Sequence, residues 1–102
     1  MSAAMIEKQG TTLSVCPEGK LDSVQTPQLE KELQPYLADT TQIAMDFSNV
    51  EYVSSAGLRL LLYLEQEMEK RGGEVQVAHA HEDILRVFEL AGFMDVVHVI
   101  ME

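Results

Sequence analysis

The chain has 102 residues, enough for a single compact domain over residues 1–102 and too few for two. Hydrophobic residues make up 46% and charged residues 24%, a balance that supplies a core and argues against intrinsic disorder. The net charge of −10 argues against the basic face that a nucleic-acid or anionic-membrane binder needs, and favours a partner with a basic surface.

Cys16 is the only cysteine, so an internal disulfide and a cysteine-built zinc site are both excluded. The N-terminus lacks a basic region followed by an apolar run. No apolar stretch approaches the roughly 20 residues of a spanning helix. The expected compartment is the cytoplasm, without direct membrane insertion.

Met5-Ile6-Glu7-Lys8 reads as a short edge strand, Gln9-Gly10 as a tight turn, and Thr11 to Cys16 as a second strand with Leu13 and Val15 on one face. Together they predict a hairpin, closed by Gly19-Lys20-Leu21-Asp22; Pro17 is tolerable only near an edge or bulge. A helix entry follows, with Thr26 as a candidate cap and Pro27 at the first helical position. Leu29, Leu33, Tyr36 and Leu37 carry the helical spacing, and Pro35 limits the helix near its end. The apolar run Ile43–Phe47 predicts a central parallel strand buried on both faces, interrupted by Asp46 towards the end where ligands collect in open α/β sheets.

The second helix is expected from about Ser55 to Lys70. Gly57, Leu60, Leu61, Leu64 and Met68 form its apolar stripe, widened by Leu58 and Leu62, with Arg59, Tyr63, Gln66, Glu67 and Lys70 opposite. Glu67 and Arg71 are spaced to pair, and Gly72-Gly73 ends the helix. Glu74–Ala78 alternates as a strand, a short helix is expected from His81 or Glu82 to about Ala91, stopped by Gly92, and Val96–Met101 reads as a final strand. The order predicts an α/β domain: a mainly parallel sheet with an antiparallel edge strand and helices packed on it.

Chemistry concentrates where Ser54-Ser55-Ala56-Gly57 opens the second helix. A helix start offers unpaired N–H groups and the positive end of a dipole, so a serine there is either a cap or a site for an anionic modification. Phosphorylation would add a charge of about −1.5 to −2 without disrupting the fold. Asp22 is a candidate cap for the first helix, or a group that orients the serine. His79 and His81 with Glu82 and Asp83 do not have zinc spacing, Cys16 has no basic neighbour to activate it, and no glycine pattern forms a phosphate loop. No metal and no cofactor are expected.

The stretch Asp46-Phe47-Ser48-Asn49-Val50-Glu51-Tyr52-Val53-Ser54-Ser55-Ala56-Gly57-Leu58-Arg59 resembles the signature of the STAS-domain, anti-sigma factor antagonist family. Gly19-Lys20-Leu21-Asp22 and Leu90-Ala91-Gly92-Phe93-Met94-Asp95 resemble two weaker landmarks, so the resemblance covers essentially the whole chain. It implies a STAS fold and a bacterial partner-switching protein that is not an enzyme; for the free chain a monomer is only the default expectation. Its unphosphorylated form would bind an anti-sigma factor that is also a serine kinase of the histidine-kinase-like ATPase type. Phosphorylation of a serine at the start of the second helix would release that partner, and a PP2C-type phosphatase would reverse the change.

One departure from the family pattern bears on the switch. The familiar motif has an acid, two hydroxyl residues and then glycine; here Ser54 replaces the acid, Ser55 holds the first hydroxyl position and Ala56 replaces the second. Ser55 is the expected acceptor, with Ser54 next, and a constitutively active form is the other outcome. The expected contact surface comprises Asp22, Ser54, Ser55, Ala56, Gly57, Arg59 and Tyr63, since interfaces are enriched in arginine and tyrosine. Two alternatives stay open: a non-phosphorylated STAS interaction module in a sensory or membrane-associated complex, and a small phosphocarrier enzyme using Ser55.

Overall fold

The computed structural model describes residues 4–101. Its elements in chain order are β1 (Ala4–Gln9), β2 (Thr12–Pro17), β3 (Gly19–Leu21), α1 (Gln25–Leu37), β4 (Gln42–Asp46), β5 (Val50–Val53), α2 (Ser55–Glu69), β6 (Glu74–Ala78), α3 (Glu82–Ala91), a 3-10 turn (Phe93–Asp95) and β7 (His98–Val99). The main sheet runs β1-β2-β4-β6-β7, antiparallel only between β1 and β2, as the edge-hairpin pattern predicts. Pro17 closes β2 beyond Val15, the last residue paired with β4, so its missing N–H leaves no gap in that ladder.

A second, two-stranded parallel sheet pairs β3 with β5. It is absent from the sequence reading, which assigns no strand between Phe47 and the second helix. Val50 and Val53 are buried while Glu51 and Tyr52 between them are exposed, so β5 does not alternate. The Lys20 to Tyr52 and Leu21 to Val53 pairing brings the end of β3 beside Val53, the residue before the Ser54 that precedes α2.

Leu29, Leu33 and Leu37 of α1, Leu60, Leu61, Leu64 and Met68 of α2, and Ile84 and Phe88 of α3 share one core with Leu13, Val15, Ile43, Met45, Val75 and Val77 of the sheet. Phe47 and Phe88 meet within that core with ring centroids 6.2 Å apart. All three helices therefore cover the same sheet face. This corrects the expectation that the strand at Ile43 is buried on both sides: Ile43 and Met45 are buried, whereas Ala44 and Asp46 are half-exposed on the uncovered face beside Ser14 and Cys16.

The end of α2 is pinned to the start of β4. A Cβ on Gly73 would lie 1.6 Å from the Thr41 carbonyl oxygen, so no side chain fits there. Arg71 donates to the carbonyls of Leu37 and Thr40 at the end of α1 and faces Glu67 at 3.8 Å, the pairing expected from their spacing. Two expectations are shortened by geometry. The final strand is two residues, because Phe93–Asp95 turns and Val97 enters the core; and Leu62 is 38% exposed rather than part of the apolar stripe.

Candidate functional site

The start of α2 is built by the small sheet. Ser54 is extended (φ −93°, ψ 179°), and its hydroxyl accepts the Ala56 N–H at 3.2 Å while donating to the Leu21 carbonyl at 3.0 Å. Its backbone N–H donates to the same carbonyl at 2.9 Å, and its carbonyl accepts the Leu58 N–H at 3.0 Å. Ser54 is thus the N-cap, and it locks β3 to the helix start. Gly57 makes the approach possible: a Cβ there would lie 2.9 Å from both the Leu21 carbonyl oxygen and Val53 Cγ1.

Ser55, the first residue of α2, is exposed, and its hydroxyl has no partner within the described chain. The geometry separates two serines that the sequence left together: one hydroxyl is committed to the fold and the other faces solvent. Ala56 is half-buried and Gly57 buried.

Asp22 caps the first helix. Its Oδ1 accepts the backbone N–H groups of Val24 at 3.0 Å and Gln25 at 2.8 Å, which hold its carboxyl below the ordinary aspartate range. This corrects the assignment of the cap to Thr26. The helix begins at Gln25, so Thr26 lies inside the first turn, 4% exposed, and Pro27 occupies the third helical position, where its missing N–H still costs no helical bond. Asp46 ends β4 of the main sheet, whereas Asp22 directly follows β3 of the small one. Asp46 accepts the Ser48 N–H at 2.9 Å, and hydrogen bonds from Ser48, with the nearby His79, lower its pKa.

Arg59 and Tyr63 project from the exposed side of α2 and line a groove with Thr26, Glu30, Ala56 and Leu60. Two apolar exposures near the helix starts escaped the sequence reading: Val24 at 78% and Tyr52 at 50%. Tyr52 could have been found only by recognising β5.

The remaining candidates are occupied by ordinary structure. Burial and the charge of Asp46 push the Cys16 thiol upward, away from reactivity. His81 Nε2 lies 3.0 Å from the Ser48 carbonyl oxygen, and His79 has a left-handed backbone at φ +61°, which histidine tolerates better than most residues. Among the described residues no three histidine, cysteine or acidic side chains gather to hold a metal, and no helix is long and apolar enough to cross a membrane.

The chain thus combines a mixed sheet covered on one face with a serine-capped helix start presented at the end of a small parallel sheet. The STAS domain profile matches residues 3–102, and the chain belongs to that family. The anti-sigma-B factor antagonist of Staphylococcus aureus (strain NCTC 8325) is 33% identical over 82 residues, 79% of this chain and 76% of that protein. An anti-sigma factor antagonist from Mycobacterium paratuberculosis superposes with a TM-score of 0.83 at 24% identity, covering 100% of this chain and 92% of that one. The phosphorylated form of the Bacillus cell fate determinant SpoIIAA gives 0.75 at 20% identity, covering 98% and 93%. At these identities the two structures speak for the fold. The Staphylococcus relative is named an antagonist, not an enzyme.

Proposed function

We propose that the protein is an anti-sigma factor antagonist that works by partner switching in the cytoplasm as a free monomer. Its unphosphorylated form binds an anti-sigma factor through the start and exposed side of α2, with Asp22, Ser54, Ser55, Ala56, Gly57, Arg59 and Tyr63 in or beside the contact. The anti-sigma factor is a serine kinase of the histidine-kinase-like ATPase type. It phosphorylates Ser55 and so ends the complex, and a PP2C-type phosphatase restores binding.

One observation carries this reading: Ser55 presents an exposed, unpartnered hydroxyl at the first position of a 15-residue helix. Neighbouring helix-start amides and the dipole favour a phosphate there, so the free chain need not refold. In a packed interface the same dianion loses its water, at a cost of several kcal/mol. Each 1.4 kcal/mol is about tenfold in affinity, so exclusion alone accounts for release.

Phosphosite mapping by mass spectrometry on protein from the native host tests this. Phosphate on Ser55, lost in Ser55→Ala, is expected. Phosphate on Ser54 would keep the switch and contradict the assignment, because its hydroxyl would have to leave both Leu21 and Ala56. A second reading rests on Ala56, which stands directly before Gly57 where the familiar motif has a hydroxyl: a constitutive binder that is never phosphorylated. Absence of phosphate in every growth condition, with intact partner binding by the Ser54→Ala/Ser55→Ala double variant, would favour it.

A further inference from the structure

A groove of about 220 Å³ lies between the first turn of α1 and the first two turns of α2. Its buried lining residues are Thr26 and Leu60, 4% and 5% exposed, while Glu30, Arg59 and Tyr63 are exposed around them. The Thr26 hydroxyl has no hydrogen-bond partner, the only buried side-chain polar atom so left among the described residues. Buried hydroxyls are almost always paired, and an orphan calls for a group that the free chain does not supply. Lys8, Lys70 and Arg71 pair with Asp39 or Glu67, whereas Arg59, like Lys20, Lys31 and Arg86, forms no ion pair among the described residues, and of these four only Arg59 lines the groove. The Tyr63 hydroxyl likewise has no acceptor within the described chain.

Three unused donors thus line one groove beside the α2 start. We propose that the groove takes a carboxylate side chain of the anti-sigma partner, with Arg59 as its counter-charge and the Thr26 and Tyr63 hydroxyls donating to it. The inference rests on the reading of the α2 face as the contact surface. Charge complementarity selects the occupant: Arg59 is the only cation lining the groove, and an incoming lysine or arginine would be repelled by it. Glu30, the only acid lining it, confines the carboxylate to the Arg59 side. The net charge of −10 attracts a basic surface at long range, and this notch of opposite polarity fixes the register of docking.

The test is an NMR titration of the full ¹⁵N-labelled chain with sodium acetate at constant ionic strength, paralleled by methylguanidinium chloride. Saturable shifts at the Thr26 and Ala56 amides and the Arg59 Nε–H are expected with acetate alone. Arg59→Gln should remove them. Thr26→Val should weaken acetate binding several-fold yet raise the melting temperature, because the valine removes an unpaired buried hydroxyl. A merely structural threonine would not produce that opposition. No saturable response to acetate, a response to methylguanidinium instead, or acetate binding unchanged in both variants would overturn the proposal. The titration involves no kinase, so its failure and that of the Ser55 phosphorylation reading are separately visible.

Discussion

The Ser54 hydroxyl lies 3.0 Å from the Leu21 carbonyl oxygen, donating to it while accepting the Ala56 N–H. One side chain therefore joins the small sheet to the first turn of α2. Replacing Ser54 by alanine removes a cap and a donor together and should cost about 1–2 kcal/mol in urea unfolding. Ser54→Asp restores the cap acceptor but sets a carboxylate against the Leu21 carbonyl. It should recover only part of that loss at neutral pH. A Ser54→Ala protein as stable as the parent would remove Ser54 from this role.

Ser55 stands one residue away and should behave in the opposite manner. Ser55→Ala should change stability by no more than about 0.5 kcal/mol, since the hydroxyl contacts nothing in the chain. Phosphoserine installed at 55 should leave the circular dichroism spectrum unchanged and weaken anti-sigma factor binding by at least about tenfold, an effect of 1.4 kcal/mol. Loss of helical signal on phosphorylation would point to refolding rather than exclusion.

Gly57 sets how closely α2 approaches β3. Gly57→Ala places a methyl 2.9 Å from backbone oxygen and from Val53 Cγ1, and backbone cannot rotate aside as a side chain can. The expected penalty is about 1–3 kcal/mol, in spite of alanine's better helix propensity. Thermal unfolding decides it: a variant more stable than the parent would mean that the helix start shifts freely.

The Asp22 cap makes part of the stability pH-dependent. Its folded pKa is depressed, chiefly by the Gln25 and Val24 N–H groups. That contribution is complete above the unfolded aspartate pKa of about 3.9. It falls as the pH drops from there through the lower folded value, where the folded carboxylate takes up its proton. Asp22→Asn keeps an acceptor without the charge, so the difference between parent and variant should shrink over that window. Denaturation midpoints at pH 6 and at stepwise lower pH measure it, and a constant difference would refute the assignment.

Much of the fold was legible because its cause is periodic. The stripe of Leu60, Leu61, Leu64 and Met68 repeats at helical spacing, and Leu13 and Val15 alternate with polar neighbours, so each period names both an element and its buried face. The candidate site was legible as a place, since a serine pair before an apolar helix marks a helix start in any fold. By itself the sequence therefore determined the α/β order, the edge hairpin and the position of the α2 start. Only the tertiary structure decided what each residue there does. Pairing of β3 with β5, between segments about thirty residues apart, brings the Leu21 carbonyl to Ser54 and releases Ser55 to solvent. The covering of one sheet face rather than two, and the orphan Thr26 hydroxyl between α1 and α2, have the same origin. Partners distant in the chain are chosen by packing, and local periodicity carries no record of them.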